Sequence, residues 1–167
     1  MPELTSQEKL FPSLLDRLTD NQPSSQNESK ETRFFTVDKL RDAVLRDLSW
    51  LLSNAHLETT EDVGIFPQIP SSVINDGIPD LTGKTVSGIL STKLADSIKQ
   101  STRWFEPRLI PDTIEVIVHR TSGEHARPNA IAIEIRADLW CQPIPEKLYV
   151  STVVDLESGI IDVVDQS

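Results

Sequence analysis

The chain has 167 residues, with 16 Lys+Arg against 26 Asp+Glu and a formal net charge of −10. One ordinary domain plus a tail accounts for that length, and so acidic a surface repels phosphate backbones and anionic lipid, arguing against a nucleic-acid partner. A single cysteine, Cys141, excludes an internal disulfide framework, and no apolar run reaches the roughly 20 residues of a membrane span or the pattern of a signal peptide, so the expectation is a cytoplasmic protein with no direct membrane insertion.

Leu10, Leu14, Leu15 and Leu18 fall on one helical face, with Ser13 following Pro12, a residue tolerated near helix starts. Such a short helix is not stable alone and needs a surface to dock on. From Thr19 to Thr32 there is no apolar side chain, which reads as a flexible tether. Two readings stay open for residues 1–33: a mobile tail, or a docking peptide carried on that tether. The main domain is then expected over residues 34–167.

Thr36 is a suitable N-cap for a long helix through Asn54. Its apolar stripe runs through Val37, Leu40, Val44, Leu48, Leu51 and Leu52, with Ala43, Leu45 and Trp50 widening it. Asp42 and Arg46 have the spacing of an i,i+4 ion pair on the wet side. Ser71–Asn75 reads as one helical turn, stopped by Gly77 and Pro79. A second helix is expected from Thr85 or Ser91 to Arg103, with Leu90, Leu94, Ile98 and Phe105 on its face, and Pro107 requires it to end near Glu106.

Beyond that corner the apolar period changes to two. Ile114–Val118, Ile131–Leu139, Leu148–Val154 and Ile160–Val164 alternate as four strands, the last two joined through Leu156–Gly159. Helices followed by adjacent strands predict an α+β fold, with two main helices packed on a largely antiparallel sheet of about four strands.

Few residues carry a chemical signature. Gly77 and Gly83–Lys84–Thr85 resemble a phosphate-binding loop, but five residues rather than four separate the glycines, and a loop of turn residues is the better account. His56, His119, His125 and Cys141 lack ligand spacing, so no metal or other cofactor is expected. A Cys141–His119 nucleophilic dyad and a Glu106–Asp112 acid pair are the catalytic arrangements left to test, against a buried thiol and solvated acids. In Trp104–Leu109, Pro107 stiffens a turn expected to present Glu106 and Arg108 on either side. That turn is either an internal pin or a partner contact. After Lys147 the chain holds acids and no base; its edge either discourages unwanted sheet pairing or receives a basic partner strand.

The blocks Pro12–Leu18, Arg46–Leu52, Ser72–Leu81, Phe105–Leu109, Leu139–Glu146 and Val154–Gly159 together resemble the TssE family. These are the small baseplate subunits of bacterial type VI secretion systems, relatives of contractile-phage wedge proteins once labelled "lysozyme-like". Ser53 interrupts the family's usual Trp-Leu-Leu-Asn run, and Asp76 stands where an aromatic is often found. The resemblance implies a non-enzymatic structural subunit that links the wedge core to the contractile sheath and helps start sheath assembly at the cytoplasmic face of the inner membrane. The implied partners are TssF, TssG and TssK in the baseplate, and TssB–TssC in the sheath. Implied contact residues are the family's Glu106, Pro107 and Arg108, the docking leucines Leu14, Leu15 and Leu18, and Val163 and Val164 on the last strand. A peptidoglycan hydrolase and a cytoplasmic anti-adaptor of the same fold are the competing readings.

Overall fold

A computed structural model of the chain describes residues 10, 12–19, 35–89, 92–121, 129–141, 144–158 and 161–165. The expected tether at 20–32, Leu90, His125 and Gly159 lie outside the described residues. Helix α1 (Leu14–Leu18) starts at Ser13, whose hydroxyl accepts from the Asp16 amide. Helix α2 (Val37–Ser53) has Thr36 as N-cap, its hydroxyl accepting from the Lys39 amide, and buries Leu40, Ala43, Val44, Leu48, Leu51 and Leu52. Trp50, expected to widen that stripe, is exposed. It sits at the edge of the face, with the Arg46 guanidinium 5.1 Å from its ring centroid.

The second helical region is divided into α3 (Val86–Ile89) and α4 (Thr92–Phe105). Helix α4 ends at Phe105, immediately before Glu106 and Pro107, because the residue before proline is disfavoured in helical geometry. Leu94 and Ile98 point its apolar face into the core.

Four strands follow: β1 (Glu115–Arg120), β2 (Ala130–Leu139), β3 (Glu146–Asp155) and β4 (Ile161–Asp165). They pair antiparallel in the order β1-β2-β3-β4, a meander, which gives the expected α+β fold with an antiparallel sheet. Alternation decides the faces: Ile131, Ile133, Ile135 and Leu139 of β2 and Leu148, Val150 and Val154 of β3 are buried beneath the helices. Each such side chain contributes roughly 1.5–3 kcal/mol by leaving water. Helix α2 lies against β4 and α4, and α4 lies against β1, so the two long helices cover one face of the sheet.

The connection after α2 is fastened to the helix end. The Ile78 amide donates to the Asn54 carbonyl at 2.9 Å, and the His56 amide donates to the Ile78 carbonyl at 3.1 Å. Gly77 makes this approach feasible: its φ is +131°, and a Cβ there would stand 2.5 Å from the Asn54 carbonyl oxygen. Gly83 also has positive φ, at +72°, but faces open space. Its amide donates to Leu156, and the Lys84 amide donates to Leu81, so the glycine–lysine segment is a turn against the β3–β4 connection.

Gly77→Ala is therefore expected to destabilise the protein by more than about 2 kcal/mol, through backbone strain plus a backbone clash, whereas Gly83→Ala costs about 1 kcal/mol. Urea denaturation of the two variants measures the difference. Equal losses would disprove the close approach at Asn54.

Candidate functional site

The corner between α4 and β1 is built from hydrogen bonds to the end of β2. The Trp140 amide donates to the Arg108 carbonyl at 2.7 Å, the Ile110 amide to the Asp138 carbonyl at 2.9 Å, and the Asp138 amide to the Thr113 hydroxyl at 2.9 Å. These bonds fix the chain from Arg108 to Thr113. The corner therefore presents its side chains from a rigid frame.

Glu106 and Arg108 were expected to point to either side of Pro107; instead they close on one another. Glu106 is only 2% exposed, and one of its oxygens accepts from both the Arg108 amide (3.0 Å) and Arg108 Nε (2.7 Å). Its other oxygen meets Arg108 Nη2 at 2.5 Å. Proline fixes φ at position 107, so the chain turns back and the residue two positions on reaches the carboxylate in a two-toothed contact. Arg108 Nη2 also reaches Asp47 of α2 at 2.5 Å.

From Asp47 the charges continue. Arg46 Nη2 lies 2.8 Å from Asp47, and Arg46 Nη1 lies 2.6 Å from Asp16 of α1. The expected Asp42–Arg46 pair is replaced, because Arg46 turns toward Asp47 and the N-terminal helix, while Asp42 stays in solvent. Acid and base thus alternate along Asp16–Arg46–Asp47–Arg108–Glu106 and join α1, α2 and the corner. Asp16 also accepts from the Ser13 hydroxyl at 2.6 Å. Burial works to raise the Asp16 carboxyl, but hydrogen bonds from Arg46 and Ser13 outweigh it and hold its pKa below the ordinary value. Burial opposes the charge on Arg108, and Glu106 and Asp47 outweigh that penalty, so its pKa is raised.

Beside this chain of charges lies a cleft of about 270 Å³, lined by Leu15, Asp47, Trp50, Leu51, Asp76, Phe105 and Glu106. Leu15 is the member of α1 that lines it; Leu14 and Leu18 face outward and are exposed. Leu10, expected on the same helical face, lies before α1 and is buried in the core, where its carbonyl accepts from the Phe35 amide at 2.8 Å; α1 itself is tied through the Asp16–Arg46 pair. Val163 and Val164 lie on β4, opposite Thr152 and Ser151 of β3, far along the sheet order from β1. Leu14, Leu15, Leu18 and the Glu106–Arg108 corner are thus brought together through Asp16 and the cleft, and the β4 pair belongs to a separate region.

The catalytic arrangements are not assembled. Asp112 is 95% exposed and lies 3.5 Å from Arg103, while Glu106 is engaged by Arg108. Cys141 is buried, its thiol donating to the Ile144 carbonyl at 3.1 Å and pushed to higher pKa by burial. His119 faces Glu134 instead, at 3.7 Å. No group of three potential metal ligands occurs among the described residues, and no described helix is long and apolar enough to cross a membrane.

The model of the family described as baseplate wedge protein gp25 matches residues 38–144. The chain belongs to that family. The gp25 family match begins in α2, takes in the loop after it, α4, the Glu-Pro-Arg corner and β2, and stops before β3; α1 and β4 fall outside it. Membership makes the protein a baseplate structural component. No curated protein and no solved structure matches the chain.

Sequence reasoning singled out Glu106 and Arg108 but missed Asp16, Arg46 and Asp47 as their companions. The adjacent Arg46–Asp47 pair beside the buried Leu48 was the available signal. Nothing local connects it to Asp16, thirty residues away.

Arg108→Ala leaves Glu106 buried without its cation and is expected to cost about 3 kcal/mol. Replacing both residues by Met should cost less, and denaturation of the two variants checks the order. The lowered Asp16 pKa stabilises the docked helix above the ordinary carboxyl value of 3.8, and this contribution is lost as pH falls through the lowered value. Protection of the Arg17 and Thr19 amides, relative to their intrinsic exchange rates at each pH, is expected to fall below about pH 4 before global unfolding; unchanged protection would show that another contact holds α1.

Proposed function

We propose that this protein is the TssE-type subunit of a type VI secretion baseplate, joining the wedge core to the contractile sheath and helping to begin sheath assembly. The observation that carries this reading is the juxtaposition of exposed Leu14, Leu18 and Trp50 with a rigid, charge-locked Glu106–Pro107–Arg108 corner, in a member of the gp25 wedge family. Apolar side chains beside a pre-ordered polar network lower the ordering cost of association, which is what an assembly subunit needs.

In this reading Leu14, Leu15 and Leu18 bind the wedge neighbours TssF and TssG, with TssK in the same assembly. Glu106, Pro107 and Arg108 support that surface from behind, since Glu106 is buried against Arg108. The edge of β4, with Val163 and Val164, receives a strand of the TssB–TssC sheath by sheet extension. The protein works by binding alone at the cytoplasmic face of the inner membrane, with no reaction and no cofactor. Engagement of Glu106 by Arg108 weighs against a hydrolase, which requires a free acid with raised pKa.

Leu14→Ser with Leu18→Ser is expected to abolish co-purification with TssF and TssG while leaving the melting temperature within about 2 °C, because both side chains are already in water. Retained co-purification would disprove the docking role of α1. Deleting the residues after Leu156 removes a strand packed on α2, so a melting curve must first show the shortened chain folded; it is then expected to spare the wedge complex and prevent sheath assembly, and normal sheaths on that background would exclude β4 as their template.

A further inference from the structure

The segment from His56 to Leu81 is a closed loop, fastened at its base by the paired bonds between Ile78 and residues 54 and 56. Inside it, amides of Phe66, Ile69, Ser72 and Asn75 donate to the carbonyls of Val63, Phe66, Ile69 and Ser72, so successive tight turns share their residues. Asn75 is the internal strut. It is buried, its side-chain oxygen accepts from the Glu58 amide at 3.0 Å, and its side-chain nitrogen donates to the Pro70 carbonyl at 3.3 Å. Val63 is buried as well, while Pro67 and Pro70 remove further backbone freedom.

This ordered loop shows the wrong side chains to water. Ile65, Phe66, Val73 and Ile74 are 54% to 81% exposed. Their exposure is maintained by the turns and the Asn75 strut, and apolar groups held out in this way mark an interaction surface. The charge around them has one sign: Glu58, Glu61, Asp62, Asp76 and Asp80 lie between His56 and Leu81, with no Lys or Arg. None of the five forms an ion pair among the described residues.

We infer that the 56–81 loop is a second docking surface, meeting the cleft beside α1 and the Glu-Pro-Arg corner at Asp76, for a protein segment that presents an apolar stripe flanked by Lys and Arg. Complementary charge selects this occupant. A second copy would set five carboxylates against five, and an anionic lipid surface is repelled for the same reason. That the segment belongs to a neighbouring baseplate subunit rests on the functional reading above. The loop's own chemistry requires only that it be basic and apolar.

The test is site-specific photo-crosslinking in cells carrying the complete secretion machine, with a benzophenone amino acid replacing Val73 in the full chain and, in a parallel strain, Leu14. The expected result is an adduct from position 73 that maps to a net-positive segment of another baseplate subunit. Combining Glu58→Lys, Glu61→Lys and Asp62→Lys, three exposed positions, should reduce its yield at least about tenfold. An adduct to a second copy of this chain, an adduct to any segment without net positive charge, or no adduct at position 73 overturns the inference. If position 14 still gives its adduct in such a case, the wedge reading stands and only the loop is wrong; loss at both positions overturns both.

Discussion

The arrangement of the molecule around its candidate site depends on one buried carboxylate. Glu106 can be excluded from water only because Arg108 folds back on it, and Arg108 is held between it and Asp47. A buried charge without its counter-charge costs several kcal/mol, so the positions of α2 and the α4–β1 corner are tied to each other. Arg46 extends the tie to Asp16 and thus to α1, whose apolar side chains stay out of the core while Leu10 upstream enters it. The three segments come from widely separated parts of the sequence, yet their relative placement follows from five alternating charges.

The same arrangement divides the labour between stability and recognition. The paired oxygens of Glu106 and the backbone bonds from Trp140 and Ile110 keep the corner rigid. In the proposed function, recognition is left to what surrounds it: the leucines of α1, Trp50, and the exposed apolar side chains of the 56–81 loop. A partner that settles on such a surface meets side chains whose backbone is already ordered, so little of its binding free energy goes into ordering them.

Much of the fold was legible because it obeys simple periods. The α2 stripe and its Thr36 cap, the helix end imposed by Pro107, and the alternation of Ile131, Ile133, Ile135 and Leu139 each follow from a local rule. The site was legible only in part. Glu106 and Arg108 stood out as residue types at a proline corner, but their mutual direction depends on the turn, which composition does not specify. Trp50 lay at the margin of a broad apolar face, where periodicity cannot separate core from surface. Arg46 had an acid four positions back and chose others, because a contact to Asp16 exists only once α1 has met α2. Tertiary geometry outweighed an i,i+4 spacing worth a few tenths of a kcal/mol.

The order of elements along the chain also has a consequence for biosynthesis. The sheet is a meander of neighbours, so each strand pairs with the one made just before it, but α2 is translated well before one of its covers, β4, the last of the described strands. At ordinary elongation rates the apolar face of α2 waits on the order of 10 s for that strand to leave the ribosome. Throughout that interval part of the apolar face of α2 stays open to water, and it is closed only when the final hairpin forms.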